Sequence, residues 1–112
     1  MKQGEIWLIN LDPTLGAELK KTRPAIIVNN NVLGRLPLKI IVPITDWKDR
    51  YSIAPWMVKI EVDELNNLTK TSTADCFQIR SLSQERFIKR IGEIKPYQLE
   101  EIKRAIMKVI QI

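Results

Sequence analysis

The chain has no histidine and a single cysteine, Cys76, in 112 residues. Without an imidazole there is no serine–histidine triad and no two-histidine ribonuclease mechanism. One thiol cannot build an internal disulfide framework, and it agrees with a reducing compartment. The same scarcity argues against a zinc site. A magnesium site needs converging carboxylates. Asp46 and Asp49 stand close together, but among Lys48 and Arg50. No metal or cofactor is expected. No apolar run approaches the ~20 residues that a membrane span needs. No apolar signal core follows Met1-Lys2-Gln3-Gly4-Glu5, so a cytoplasmic location is expected. Internal repeats, low-complexity segments and linkers are also absent from the sequence.

What is present is a basic, globular composition: 45% hydrophobic, with a net charge of +5 and a pI near 9.5. The length suits one domain over residues 1–112, with room for a real core. The charge favours a polyanionic partner, nucleic acid first, or else an acidic protein.

The chain is organised around Lys20-Lys21-Thr22-Arg23-Pro24-Ala25-Ile26-Ile27-Val28. Three cations precede a short β-branched run, the signature of a buried strand. Pro24 drives Arg23 toward extended backbone. A guanidinium held this way offers a planar fork of donors suited to phosphate. A plain surface arginine at a strand end is the competing reading.

Strands are expected at residues 5–11, 24–30, 38–44, 56–62, 73–79 and 87–91. Pro43 suggests an edge or a bulge in the third. A short helical turn is expected at residues 81–85. The tail carries Leu99, Ile102, Ile106 and Val109 at helical spacing behind Pro96, which predicts a helix over 96–110 packed on the sheet. Glu100 and Glu101 near its start and Lys108 near its end complement the helix dipole. Several short strands and one terminal helix imply a mainly β (α+β) fold, a small twisted barrel or curled sheet.

Three segments resemble the MazF/PemK family of toxin endoribonucleases. The first comprises Gly4-Glu5-Ile6-Trp7, Leu11-Asp12-Pro13 and Gly16-Ala17-Glu18-Leu19-Lys20-Lys21-Thr22-Arg23-Pro24; the second is Val42-Pro43-Ile44-Thr45. The third is Gln78-Ile79-Arg80-Ser81-Leu82, followed by Arg86 and Lys89-Arg90-Ile91-Gly92. The resemblance spans nearly the whole chain. It implies an SH3-like barrel with a C-terminal helix, a homodimer, and metal-independent cutting of single-stranded messenger RNA at short motifs. It further implies inhibition by an acidic antitoxin, Arg23 and Thr45 as catalytic residues, and Gln78 near the RNA path.

The same residues can be read physically. The neighbouring 2′-hydroxyl can serve as nucleophile, giving a 2′,3′-cyclic phosphate and a 5′-hydroxyl; DNA lacks that hydroxyl. Arg23 would neutralise the charge gathering on the phosphoryl oxygens, and Thr45 would donate one more hydrogen bond. Arginine is a poor base; Glu18, the nearest carboxylate in sequence, is the candidate base, with a solvated loop residue as the competing reading. Lys20, Lys21 and Thr22 would bind the RNA backbone. Asp46 departs from the family, which usually has a small hydroxyl residue there. It would repel a phosphate unless it pairs with a lysine or reads a base. Trp47 is the candidate base-stacking platform, whereas Trp7 and Trp56 are assigned to the core. Gln78 could read base edges. Arg86 is read as pairing with Glu85 or the helix, and Cys76 as a buried small hydrophobe. Two other readings compete: a same-fold toxin that binds DNA gyrase without cutting RNA, and a catalytically silent RNA-binding module.

Overall fold

The computed structural model describes residues 1–12, 16–17, 21–33 and 35–112. Its described strands are β1 (Glu5–Asn10), β2 (Thr22–Ile27), β3 (Leu38–Asp46), β4 (Met57–Ile60), β5 (Ser72–Asp75), β6 (Arg80–Ser83) and β7 (Phe87–Glu93), followed by helix α1 (Pro96–Ile110). The strands form one antiparallel path, β4-β5-β3-β2-β1-β7, with β6 joining β3 off that path. The mainly β architecture with a terminal helix is therefore the one expected.

β2 and β3 are apolar on both faces because both faces are covered. Ile26 and Val42 enter a core shared with Ile102 and Ala105 of α1. Ala25, Ile27 and Ile41 enter a second core that Leu82 completes and Trp7 and Phe87 flank. The predicted face of α1 is the one that packs: Ile102 is buried, and Leu99, Ile106 and Val109 lie against the first core. Its N-terminus differs from expectation. Glu100 and Glu101 fall beyond the first turn. The buried Gln98 instead accepts the Lys95 N–H at 3.1 Å, doing the work of a cap.

Other boundaries differ for local reasons. The second strand starts earlier, because Arg23 and Thr22 pair with Ile9 and Asn10. The expected 73–79 strand is two strands. Asp75 Oδ1 accepts the Phe77 N–H, and a 3₁₀ turn over Cys76–Gln78 breaks the ladder. β6 then pairs with residues 38–41 of β3, while β5 pairs with residues 44–46. The helical turn accordingly shifts to Gln84–Arg86. Pro43 is neither at an edge nor exposed: it is buried in β3, opposite Ala25 of β2. On its other side it falls between the β6 and β5 ladders, where a missing N–H breaks neither.

Trp56 corrects its core assignment. It precedes β4, is 36% exposed, and packs edge-to-face on the exposed Phe77. Trp7 does flank the second core, with its indole N–H on Glu5. Arg86 bonds neither Glu85 nor the helix among its described contacts. Its guanidinium donates to the carbonyls of Asn10 and Asp12.

Candidate active-site cleft

The β2–β3 register pairs Ile27 with Ile41, Ile26 with Val42 and Ala25 with Pro43. Arg23 and Thr45 each lie two residues beyond its last pair, Ala25 with Pro43. Cross-strand residues share a face and can touch one target. Both side chains line one cleft of about 390 Å³. The Arg23 Nη1 donates to the carbonyl oxygen of Ile44 at 3.4 Å, so the half-buried guanidinium is steadied beside Thr45. Pro24, in the same strand, restricts the backbone on which it stands.

Residues 67–70 line the same cleft from the loop that leads into β5. The segment before β5 is held by side-chain hydrogen bonds. The buried Asn66 donates to the Glu61 carbonyl and accepts the N–H groups of Asp63 and Leu68. Asn67, in the left-handed region at φ 53°, donates to the Ile91 carbonyl at 2.9 Å. Gly92 makes this approach to β7 feasible, since a Cβ there would collide with the Leu65 and Asn66 carbonyl oxygens. Lys70 Nζ then meets Asp46 Oδ2 at 2.9 Å. Sequence reasoning missed this wall; the Asn66-Asn67 pair, a common left-handed turn signal, was its only local trace.

The other anticipated residues are scattered. Thr22 lines the cleft and is exposed. Lys21 is exposed at φ 68°, its N–H donating to Asp12 Oδ1. Glu18 and Lys20 lie outside the described residues. Trp47 follows the cleft strand but does not line the cleft. Its indole N–H reaches Asp49, Tyr51 meets its edge, and the Lys59 ammonium sits 5.0 Å over its ring. Gln78 also stays off the cleft, donating to Asp75 Oδ2 at 3.1 Å. Burial pushes the Asp75 carboxyl above its usual range, against the hydrogen bonds from Phe77 and Gln78. Burial, then the Asp75 charge, pushes the Cys76 thiol up to about 12; it is the buried hydrophobe expected. Among the described residues no three acidic, cysteine or histidine side chains converge on a metal position.

The sequence pattern of the PemK-like, MazF-like toxins of type II toxin–antitoxin systems matches residues 2–110. The chain belongs to this family. Its similarity to the endoribonuclease MazF9 of Mycobacterium tuberculosis is 29% identity, covering 95% of this chain and 92% of that protein. The MazF of Deinococcus radiodurans has the same fold, with a TM-score of 0.83 at 19% identity over 100% of this chain and 97% of that one. A MazE–MazF structure from the same organism matches with a TM-score of 0.75 at 18% identity, over 100% and 96% of the two chains. In this PemK/MazF-like chain, Arg23 and Thr45 line the same cleft.

Proposed function

We propose that this chain is a metal-independent endoribonuclease that cuts single-stranded messenger RNA as the toxin of a toxin–antitoxin pair. The observation that carries the reading is the placement of Arg23 and Thr45 in one cleft. Family membership and the endoribonuclease relative support it. In the proposed reaction the ribose 2′-oxygen attacks the adjacent phosphorus and the bond to the 5′-oxygen breaks. This leaves a 2′,3′-cyclic phosphate and a 5′-hydroxyl. Arg23 lies against the phosphoryl oxygens and neutralises their growing charge. Thr45 donates its hydroxyl to one of them. Such preorganised donors act where charge develops, so they lower the barrier rather than merely tighten binding.

Thr22, which lines the cleft, and the two lysines that precede it in sequence would contact the RNA backbone. Trp47 and Gln78 do not line the cleft and would meet flanking nucleotides. The net charge of +5 suits an acidic antitoxin segment that folds over the cleft and blocks it. The solved MazE–MazF pair supports a partner of that kind. A homodimer and a cytoplasmic site of action complete the proposal; no helix among the described residues is long and apolar enough to cross a membrane.

The test is incubation of the purified chain with a long single-stranded RNA in EDTA, followed by sequencing of the ends. Discrete cuts with 2′,3′-cyclic phosphate termini are expected. Intact RNA overturns the reading: with gyrase inhibited it would indicate the gyrase-binding toxin, and with RNA bound but uncut the silent module.

A further inference from the structure

Asp46 is a carboxylate in a cleft proposed to receive a phosphate. Three observations define its situation. Lys70, on the loop that leads into β5, meets it at 2.9 Å. Both side chains remain half or more exposed, 64% for Lys70 and 50% for Asp46. The backbone under each is pinned. Asp46 pairs with Ser72 in the β3–β5 ladder, the Ser72 hydroxyl donates to the Lys70 carbonyl at 2.9 Å, and the Trp47 N–H donates to the Thr71 carbonyl. Asn67 and Gly92 hold the start of the same loop on β7.

An ion pair this exposed gains little, because water screens it and two flexible side chains must be ordered. A phosphate offers the same ammonium a stronger partner, with several acceptor oxygens and displaced counterions. Asp46 can then turn into solvent, since half its side chain already faces water. The pinned backbone keeps the ammonium at the cleft mouth during this exchange.

We infer that Lys70 is a further RNA-contacting residue of the cleft, gripping a phosphate next to the one held by Arg23 and Thr45, and that Asp46 is its built-in competitor. This rests on the proposed function. The pair holds the site in a self-neutralised state, and RNA displaces the carboxylate on entry. Asp46 thereby lowers the affinity for any polyanion, so that only strands with further contacts in the rest of the cleft are held appreciably. No bond is made or broken in the exchange.

The test reads binding without cutting. A mixed-sequence single-stranded RNA with every 2′-hydroxyl methylated lacks the nucleophile, and its affinity is measured against salt concentration. Lys70→Gln is expected to weaken binding about tenfold and to flatten the logarithmic salt slope by about 0.7, one phosphate contact on a single strand. Lys70→Arg restores both. Asp46→Asn is expected to tighten binding. A pair that merely staples the loop to β3 predicts another pattern: both neutral variants weaken binding alike and lower the melting temperature alike. That pattern overturns the inference, as does an unaltered salt slope in Lys70→Gln. A wild type that binds the methylated RNA yet leaves ordinary RNA intact overturns only the nuclease reading.

Discussion

The two walls of the cleft are built in opposite ways. One wall is backbone ladder. Arg23 and Thr45 stand on adjacent strands whose register is set by buried residues on both faces, from Ala25 to Ile27 and from Ile41 to Ile44. The other wall is a loop, residues 67–70, held at one end by the amide groups of Asn66 and Asn67 and by the missing side chain of Gly92, and at the other by the Trp47–Thr71 hydrogen bond that leads into β5. The first has a geometry that any strand-forming sequence of similar pattern would reproduce. The second depends on a few specific side chains, and so can vary among relatives without loss of the fold. Under the proposed function this divides the labour: reaction chemistry would sit on the ladder and further substrate contact on the loop.

Substitutions can break that comparison. The largest expected effect is on the ladder side. Arg23→Ala or Thr45→Ala should each lower the cutting rate by about 10²–10³ or more, the loss typical of one preorganised donor. Circular dichroism should remain that of a folded domain, since neither side chain belongs to a core cluster. Full cutting by either variant would falsify the catalytic assignment. Next comes Gly92→Ala, which drives a methyl group into the Leu65 and Asn66 carbonyls. It should destabilise by about 1–3 kcal/mol and lower the melting temperature by roughly 4–12 °C. Below that temperature RNA affinity should fall as well, since the loop that carries Lys70 must shift. A variant that melts like wild type would show that the second wall is not fixed at Gly92.

The smallest effect sharpens the boundary of the site. Asp75 holds Gln78 outside the cleft, and burial raises its carboxyl pKa in the fold. The stability that this group contributes is therefore present below the ordinary carboxylate pKa and lost as pH rises through the raised value. Asp75→Asn removes that titration. In urea unfolding from about pH 3 to about pH 7, wild type should lose stability relative to the variant as pH rises. Parallel curves would mean that the carboxyl titrates alike folded and unfolded.

The ladder wall could be read from the chain because its determinants are local. Pro24, the β-branched runs and the threonine closing Val42-Pro43-Ile44-Thr45 each act on residues within a few positions. Family resemblance then singled out Arg23 and Thr45 among several plausible polar residues. The loop wall could not be read, because Lys70 finds Asp46, and Gly92 finds Leu65, across long stretches of chain. Trp56 failed for a related reason. Period-two alternation groups it with Val58 and Ile60, which are buried. The strand begins only at Met57, and the turn before it sends the indole out to Phe77. The split of the fifth expected strand was equally hidden, since Asp75 reads as an ordinary strand residue until its carboxylate caps the next turn.

The burial of Cys76 has a practical side. Its thiol is enclosed and, at a pKa of about 12, stays protonated across the physiological range, so it is a poor nucleophile toward alkylating dyes. It is also the sole sulfhydryl in the chain. A cysteine introduced on the exposed rim of the loop would thus be the one fast-reacting handle, and a fluorophore attached there could report RNA entry in real time without first stripping the native thiol from the core.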